Sequence, residues 1–380
     1  MFAIRARRLF DGVDMHENKV VVVDGWRIAD VTDDAPDALD LGDDVTLLPG
    51  LIDCHVHLAF DASLDPIGHL EEPGLADRMR EAATRHLHAG VTTVRDLGDR
   101  DYLALELGLD VTEGPEIIGA GPPITTPKGH CWFLGGEAEG EQGVRAAVRE
   151  RAERGARVVK MMVTGGEMTP GSEPYLLQYG MAELKAAADE AHELGLPIAG
   201  HAHAPEGIVY ALEAGFDTIE HCAFWTEDSI EPDAGIIARL AASDVIVSLT
   251  AGIVPVRNLT PPPNLAKRMP LLMETLRQLY RGGVKFVIGS DAGIAPVKPH
   301  GLLPFGAKML VDLGFEPVDV LRSITSRAAQ ACRVGDAKGR LAPGFDADLV
   351  AVQGDPLADV TALQVPVAIY RLGRKVPLPG

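Results

Sequence analysis

The sequence has few cysteines, too few bases to balance its acids, and no long apolar run. Four cysteines in 380 residues, Cys54, Cys131, Cys222 and Cys332, include no C-x-x-C pair. So few in so long a chain exclude a disulfide framework and point to reduced thiols in a cytoplasmic protein. Thirty-five bases face 55 acids, a net charge of −20, which repels a phosphate backbone and excludes nucleic acid as a partner. No apolar run reaches the roughly 18 residues of a membrane span. The opening MFAIRARRLFDG has basic residues with no apolar core behind them, which does not read as a secretory signal. No G-x-G-x-x-G follows the first central strand, so a doubly wound dinucleotide-type sheet lacks its fingerprint.

What the chain does have is enough apolar material, 46% of residues, for the core of a large α/β barrel. Apolar strands are expected near 47–57, 91–96, 116–120, 157–163, 197–203, 216–221, 245–250 and 284–290. Charged-faced helical stretches such as EQGVRAAVRERAERG (141–155) and MAELKAAADEAHELG (181–195) lie between them and end in glycine, a helix stop signal. Eight strands alternating with helices predict an α/β fold, a (β/α)8 TIM barrel over 47–342. Both ends are β-rich. FAIRARRLF and KVVVVDGWRIADV, with a hairpin signal at Asp24–Gly25, stand at one end, and PGFDADLVAV and VAIYRLGRKV at the other. They predict a small β-sandwich built from residues 1–46 plus 343–380. Two segments read as long loops on the face formed by the strand carboxyl ends, 164–180 and 251–270, the second stiffened into a wall by three consecutive prolines.

The stretch LLPGLIDCHVHLAF (47–60) carries two histidines in an otherwise buried-looking run. Side chains at i and i+2 of a strand share a face, so His55 and His57 point the same way, and Cys54, like Cys222 beside His221, points oppositely as packing. The pair reads either as hydrogen-bonded core histidines or as two neutral imidazoles aimed at a metal. Similar residues recur at the ends of later strands: Lys160 in RVVKMMVTGG, His201 and His203 in PIAGHAH, His221 in FDTIEHC and Asp291 in KFVIGSDAG. Singly, each has an ordinary structural reading; together they make a ring of nitrogen and oxygen donors. Lysine is scarce in this chain, 10 against 25 arginines, and a desolvated lysine can turn neutral and nucleophilic. Reaction of such an amine with CO₂ gives a carbamate, an anionic ligand able to bridge two metals; an ion pair with an acid is the plainer alternative for Lys160.

Taken together, H-x-H after P-G-L-I-D, Lys160, His201, the I-E-H at His221, S-D-A-G at Asp291 and the closing P-G-x-D-A-D-L-V resemble the amidohydrolase superfamily over nearly the whole chain. RAAVRERAERGARVVKMMVTGG and AADEAHELGLPIAGHAHAPEGI resemble its imidazolonepropionase-like branch, which includes binuclear Xaa-Pro dipeptidases (prolidases). The resemblance implies two divalent metal ions of zinc type. His55, His57 and Asp291 would hold the more buried one, His201 and His221 the second, with carboxylated Lys160 between. Imidazolonepropionases proper are mononuclear and lack the bridging lysine. At position 203 the related peptidases often carry a tyrosine, so His203 leaves that substrate-orienting role open. His130, in PKGHCW, resembles a substrate-contacting histidine of the branch, or else structures its loop.

The expected reaction is hydrolysis of an amide or peptide C–N bond. A hydroxide between the metals would attack the carbonyl, with Asp291 taking the proton and passing it to the leaving nitrogen; His130 and His203 complete the catalytic candidates. Candidate substrate contacts are Lys128, His130, Met162, Tyr175 and His203, with Arg257, Lys298 and His300 also near the mouth. These basic groups suggest a small molecule bearing a carboxylate, a dipeptide of Xaa-Pro type or an N-acyl amino acid. A cyclic amide, carbamate or lactone on the same centre is the alternative, and a catalytically silent binding protein the remote one. Barrels of this kind often self-associate, so a homo-oligomer is a weaker expectation.

Overall fold

The computed structural model describes residues 1–260 and 263–379. Eight parallel strands lie at its centre: β1 (Leu51–Val56), β2 (Val91–Asp96), β3 (Glu116–Gly119), β4 (Val159–Met162), β5 (Ile198–Ala202), β6 (Thr218–His221), β7 (Ile246–Thr250) and β8 (Phe286–Gly289). β1 to β3 pair in one run and β4 to β8 in another. Both gaps are bridged. Beyond β3, Ile124 donates to Lys160 O and accepts from Met162 N–H, both at 2.8 Å. Between β8 and β1, Asp291 N–H donates to His55 O at 2.8 Å and His57 N–H to Ala292 O at 3.1 Å. The strands therefore close into a ring, which leaves no free sheet edge.

The helices follow their strands in order: α1 (Leu75–His88), α2 (Leu103–Glu106), α3 (Gly140–Glu153), α4 (Met181–Glu193), α5 (Pro205–Ala214), α6 (Ala234–Ala242), α7 (Pro263–Arg281) and α8 (Leu303–Asp312). α3 and α4 stop where expected, just before Gly155 and Gly195, whose φ of 87° and 73° only glycine adopts cheaply. The 251–270 segment differs from the reading as a loop. It becomes helical at Pro263, a residue tolerated in a first turn because its missing N–H has no partner there. Pro261 and Pro262, on which the expected stiffening rests, lie outside the described residues; from Pro263 the segment is α7.

The strands of the two chain ends form two further sheets. One has the order Arg27–Thr32, Val20–Asp24, Phe2–Arg5, Leu39–Asp40; the other runs Arg374–Lys375, Pro366–Arg371, Leu349–Gln353, Val45–Pro49, Arg8–Phe10, Met15–Glu17. Ile4, Val21 and Ile28 of the first share a buried cluster with Leu9, Leu47, Leu349 and Tyr370 of the second. The apolar run expected as one strand over 47–57 is split. Val45–Pro49 pairs antiparallel with Leu349–Gln353, and β1 starts only at Leu51. Gly50 makes the transition possible, because a Cβ there would lie 2.1 Å from Thr92 Oγ1.

Candidate metal centre

Strand alternation places His55 and His57 inward and Cys54 outward, its Sγ 3.8 Å from Cys332 Sγ. His55 Nε2 and His57 Nε2 lie 3.2 Å apart, and Asp291 Oδ1 is 3.7 Å from the first and 3.5 Å from the second. Ligand atoms about 2.0–2.1 Å from one tetrahedral ion would lie roughly 3.3 Å from one another, so these three atoms already have the spacing of one cation's ligands. Asp291 follows β8 with φ 57°, a left-handed kink that ends the strand and re-aims its carboxylate. β8 itself approaches β1 through Gly289, where a Cβ would sit 2.3 Å from the Cβ of His55.

A second cluster gathers His201, His203 and His221, each offering a nitrogen within 4.8 Å of the others. The His201 and His221 rings lie 4.5 Å apart, and His203 stacks on His221 at 4.5 Å. His55 and His221 rings are 5.1 Å apart, so the two clusters adjoin. Lys160, 1% exposed, lines the same cavity. Among the described residues its Nζ has no hydrogen-bond partner, and neither has His203 Nδ1. Buried polar atoms without partners are rare and costly, and both fall where an added group would satisfy them.

The other ring nitrogens are held by the protein. His55 Nδ1–H donates to Glu220 Oε2 at 2.9 Å and His57 Nδ1–H to Gly98 O at 3.1 Å. His201 Nε2–H donates to Gly165 O at 3.1 Å, and His221 Nδ1 pairs with Thr250 Oγ1 at 3.0 Å. The pairings to acceptors leave the opposite nitrogen of His55, His57 and His201 as a lone-pair donor, the outer support that metal-binding imidazoles require, and the Thr250 hydroxyl, as acceptor, permits the same for His221. Burial first, then neighbouring cations, pushes the pKa values of His55, His201 and His221 well below the imidazole range. Burial brings His130 and His203 down to about 3 and Lys160 down to about 8. These five imidazoles are neutral at pH 7, the form that binds metal. The donor set thus fits divalent cations.

Three residues that matter here were not named as site residues from the sequence. Arg95 and Glu220 are both buried inside the barrel. Arg95 donates to Glu220 Oε1 at 2.9 Å and to Cys54 O at 2.7 Å, while Thr218 Oγ1–H donates to the same Glu220 oxygen at 2.7 Å. The available signal was a charged residue amid β-formers in each strand, VTTVRD and TIEH. Asp53 is a third. Its Oδ1 accepts from Ser290 N–H at 2.9 Å, tying β1 to the segment that carries Asp291, and burial lifts its carboxyl to about 6.

The cavity over the clusters has a volume of about 390 Å³, within the range of small-molecule sites. His57, His130, Lys160, Met162, His201, His203, His221 and Asp291 line it. His130 is fixed by Thr169 Oγ1, 3.1 Å from its Nδ1, and by Gln178, with its ring 4.7 Å from that of His201. The expected cationic mouth is not assembled. Lys128 and Arg257 are exposed and outside the lining, and Tyr175 is half-buried beside it. His300 is buried elsewhere, donating to Phe60 O at 2.8 Å and paired with His86. Lys298 does reach the cavity, with its Nζ donating to Ser290 O at 2.8 Å. Charges on exposed turns were read as converging because sequence spacing carries no information on which way a loop folds.

A closed barrel with these donors at the strand carboxyl ends defines a metal-dependent hydrolase, and sequence comparison agrees. The amidohydrolase family profile matches residues 46–374; the chain belongs to that family, whose members use divalent metals and act on carbon–nitrogen bonds. It is 27% identical to ochratoxinase of Aspergillus niger over 369 residues, 85% of this chain and 73% of that one. It is 29% identical over 211 residues to imidazolonepropionase of Pseudomonas putida, 53% of this chain and 47% of that one. Among solved structures, a Xaa-Pro dipeptidase with methionine bound in its active site superposes with a TM-score of 0.84 at 28% identity, covering 98% and 99% of the two chains. A prolidase in complex with N-methylphosphonate-L-proline gives 0.84 at 26% identity over the full length of both. No helix among the described residues is long and apolar enough to cross a membrane.

Proposed function

We propose that this protein is a binuclear metal-dependent amidohydrolase that cleaves an amide or peptide C–N bond in a small molecule. The observation that carries the proposal is the convergence of His55, His57 and Asp291 at 3.2–3.7 Å beside His201, His221 and the unpartnered Nζ of Lys160. His55, His57 and Asp291 would hold one ion and His201 and His221 the other, with Lys160, as a carbamate, between them. When bound, such a pair of cations supplies a nucleophile at neutral pH and polarises the scissile carbonyl.

The chain's own contribution is position and proton traffic. The Asp291 carboxylate is placed to take the proton of the attacking water and return it to the leaving nitrogen, the usual task of a positioned carboxylate. His203, whose Nδ1 has no partner among the described residues, and His130, locked by Thr169, would hold the substrate carbonyl or its flanking polar group. The apolar lining lowers the local dielectric, which strengthens each of these interactions. Dipeptides and N-acyl amino acids remain the substrate class favoured by the relatives that act on Xaa-Pro peptides, with Lys298 a cation of the cavity lining outside the proposed ligand set. All four cysteines are free and buried, in keeping with a reducing compartment such as the cytoplasm. The strands of residues 1–46 and 343–380 we read as an ancillary β-sandwich domain.

The test is metal analysis of the purified chain, joined to hydrolysis assays on dipeptides, N-acyl amino acids, cyclic amides and lactones. About two divalent ions per chain and C–N cleavage abolished by a chelator are expected. A chain that retains no divalent metal, and that cleaves nothing after metal is restored, would sink the proposal.

A further inference from the structure

The cavity wall facing the histidines is hydrocarbon and thioether. α7 contributes Leu265, Met269, Leu272, Met273 and Leu276, spaced i, i+4, i+7, i+8 and i+11, which is one face of a helix. Met309 of α8 joins them, with its Sδ accepting from Gly252 N–H at 3.4 Å, and Met162 and Met168 enter from the β4 side. Of ten methionines in the chain, Met162, Met168, Met269, Met273 and Met309 therefore line this one cavity. All but Met162 are half-buried, so they do not simply fill the core; part of each side chain remains accessible. Methionine has three rotatable bonds and a polarisable sulfur, so a wall of them adapts to different shapes and packs well on aromatic rings.

Charge is sparse on the lining: apart from Asp291 its one acid among the described residues is the exposed Glu167, beside Met168. Arg268 belongs to α7, but its guanidinium lies 4.8 Å over the Trp225 ring and donates to Glu227 O at 2.6 Å. The lysines that line the cavity are Lys160 and Lys298. The first belongs to the proposed centre, and the second sits on the Asp291 side, bonded to Ser290 O. A charged substituent directed at α7 would be desolvated without a partner, which is strongly unfavourable.

We propose that the enzyme recognises its substrate through a bulky, uncharged apolar group flanking the scissile bond, aromatic or branched aliphatic, seated against the methionine face of α7, and that it accepts a range of such groups. This rests on the amide-hydrolase reading and adds the substrate class to it.

Two series of amides test it with the metal-loaded full chain. In one, anilides of acetic, butyric, hexanoic and phenylacetic acids are compared with glutaric monoanilide, which carries a carboxylate near the hexanoyl terminus. In the other, N-acetyl derivatives of methylamine, butylamine and phenethylamine are compared with N-acetyl-β-alanine. In at least one series kcat/KM should rise about fourfold per buried methylene and fall at least tenfold when the carboxylate replaces the apolar end. Quenching of tryptophan fluorescence in the metal-free protein, in which Trp225 lines the cavity, should rank the same compounds in the same order. Met273→Lys should reverse the preference toward the carboxylate, and Met273→Ala should move the optimum to a longer chain. Indifference to size, or preference for the carboxylate in both series, overturns the inference even if amides are cleaved. Apolar ranking in the binding assay with no cleavage of any amide leaves the pocket assignment standing and removes the hydrolase reading instead.

Discussion

Glu220 Oε2 accepts the Nδ1–H of His55 at 2.9 Å across 165 residues of sequence, and it does so while its other oxygen is held by Arg95 at 2.9 Å. A carboxylate only accepts hydrogen bonds. The pairing therefore fixes the proton of His55 on Nδ1 and turns the Nε2 lone pair to the cavity, where His57 and Asp291 converge.

Glu220→Gln keeps the shape but strands the Arg95 guanidinium inside the barrel. Breaking a buried pair from one side costs about 3–5 kcal/mol, and losing an outer partner of a metal ligand weakens metal binding about 10–100-fold. Denaturant unfolding of the metal-free variant and competition with a chelator should show both losses. A variant as stable and as tightly loaded as the wild type would remove Glu220 from this role.

Asp291→Asn should lower kcat by about 10²–10⁴, the range for loss of a positioned proton carrier. It should reduce metal content less than His55→Ala or His57→Ala, each of which removes a nitrogen from the tightest three-atom cluster. Metal analysis beside single-turnover kinetics separates the two effects, and equal metal loss in all three variants would contradict the assignment.

Lys160 reacts with CO₂ only as the neutral amine, and burial has brought its pKa down to about 8. Uptake of the second metal equivalent should therefore need bicarbonate and quicken as pH rises through about 8. Lys160→Arg, which stays protonated at any working pH, should stop near one equivalent. Equilibrium dialysis in CO₂-free and bicarbonate buffers reads this directly; two equivalents in the arginine variant would count against the carbamate.

Acid should destabilise the metal-free protein. His130 and His203 are held neutral in the fold down to about pH 3, whereas in the unfolded chain they take up protons below about 6.5. The unfolded state then binds more protons, so stability present above about pH 6.5 is lost as pH falls toward 3. The slope approaches about 1.4 kcal/mol per pH unit for each imidazole. Melting curves of the metal-free chain at pH 7, 6 and 5 should show a steady fall in Tm.

The ring of donors was legible because strand-end chemistry interrupts apolar strands at fixed alternation: His55 and His57 two apart, His201 and His203 likewise, Asp291 just before Gly293. The helix stops at Gly155 and Gly195 were legible for a similarly local reason. The break at Gly50 was not, because Val45–Pro49 and Leu51–Val56 follow one another as β-forming, largely apolar runs, and nothing local says that they join different sheets. Nor was the start of α7, since three successive prolines read as a rigid turn unless the last of them opens a helix.

Residue type and spacing by themselves pointed to the barrel, its order of elements and a ring of donors, His203 among them, because these follow from periodicity and from donor chemistry that recurs at strand ends; the division of that ring into six metal ligands came only from the family resemblance. Tertiary structure alone decided that Arg95 and Glu220 meet behind His55, that Lys128 and Arg257 stay outside the cavity, and that half the methionines line it. Those facts depend on how loops fold back and which faces of distant elements meet across the ring, and no local pattern in the chain encodes that distance.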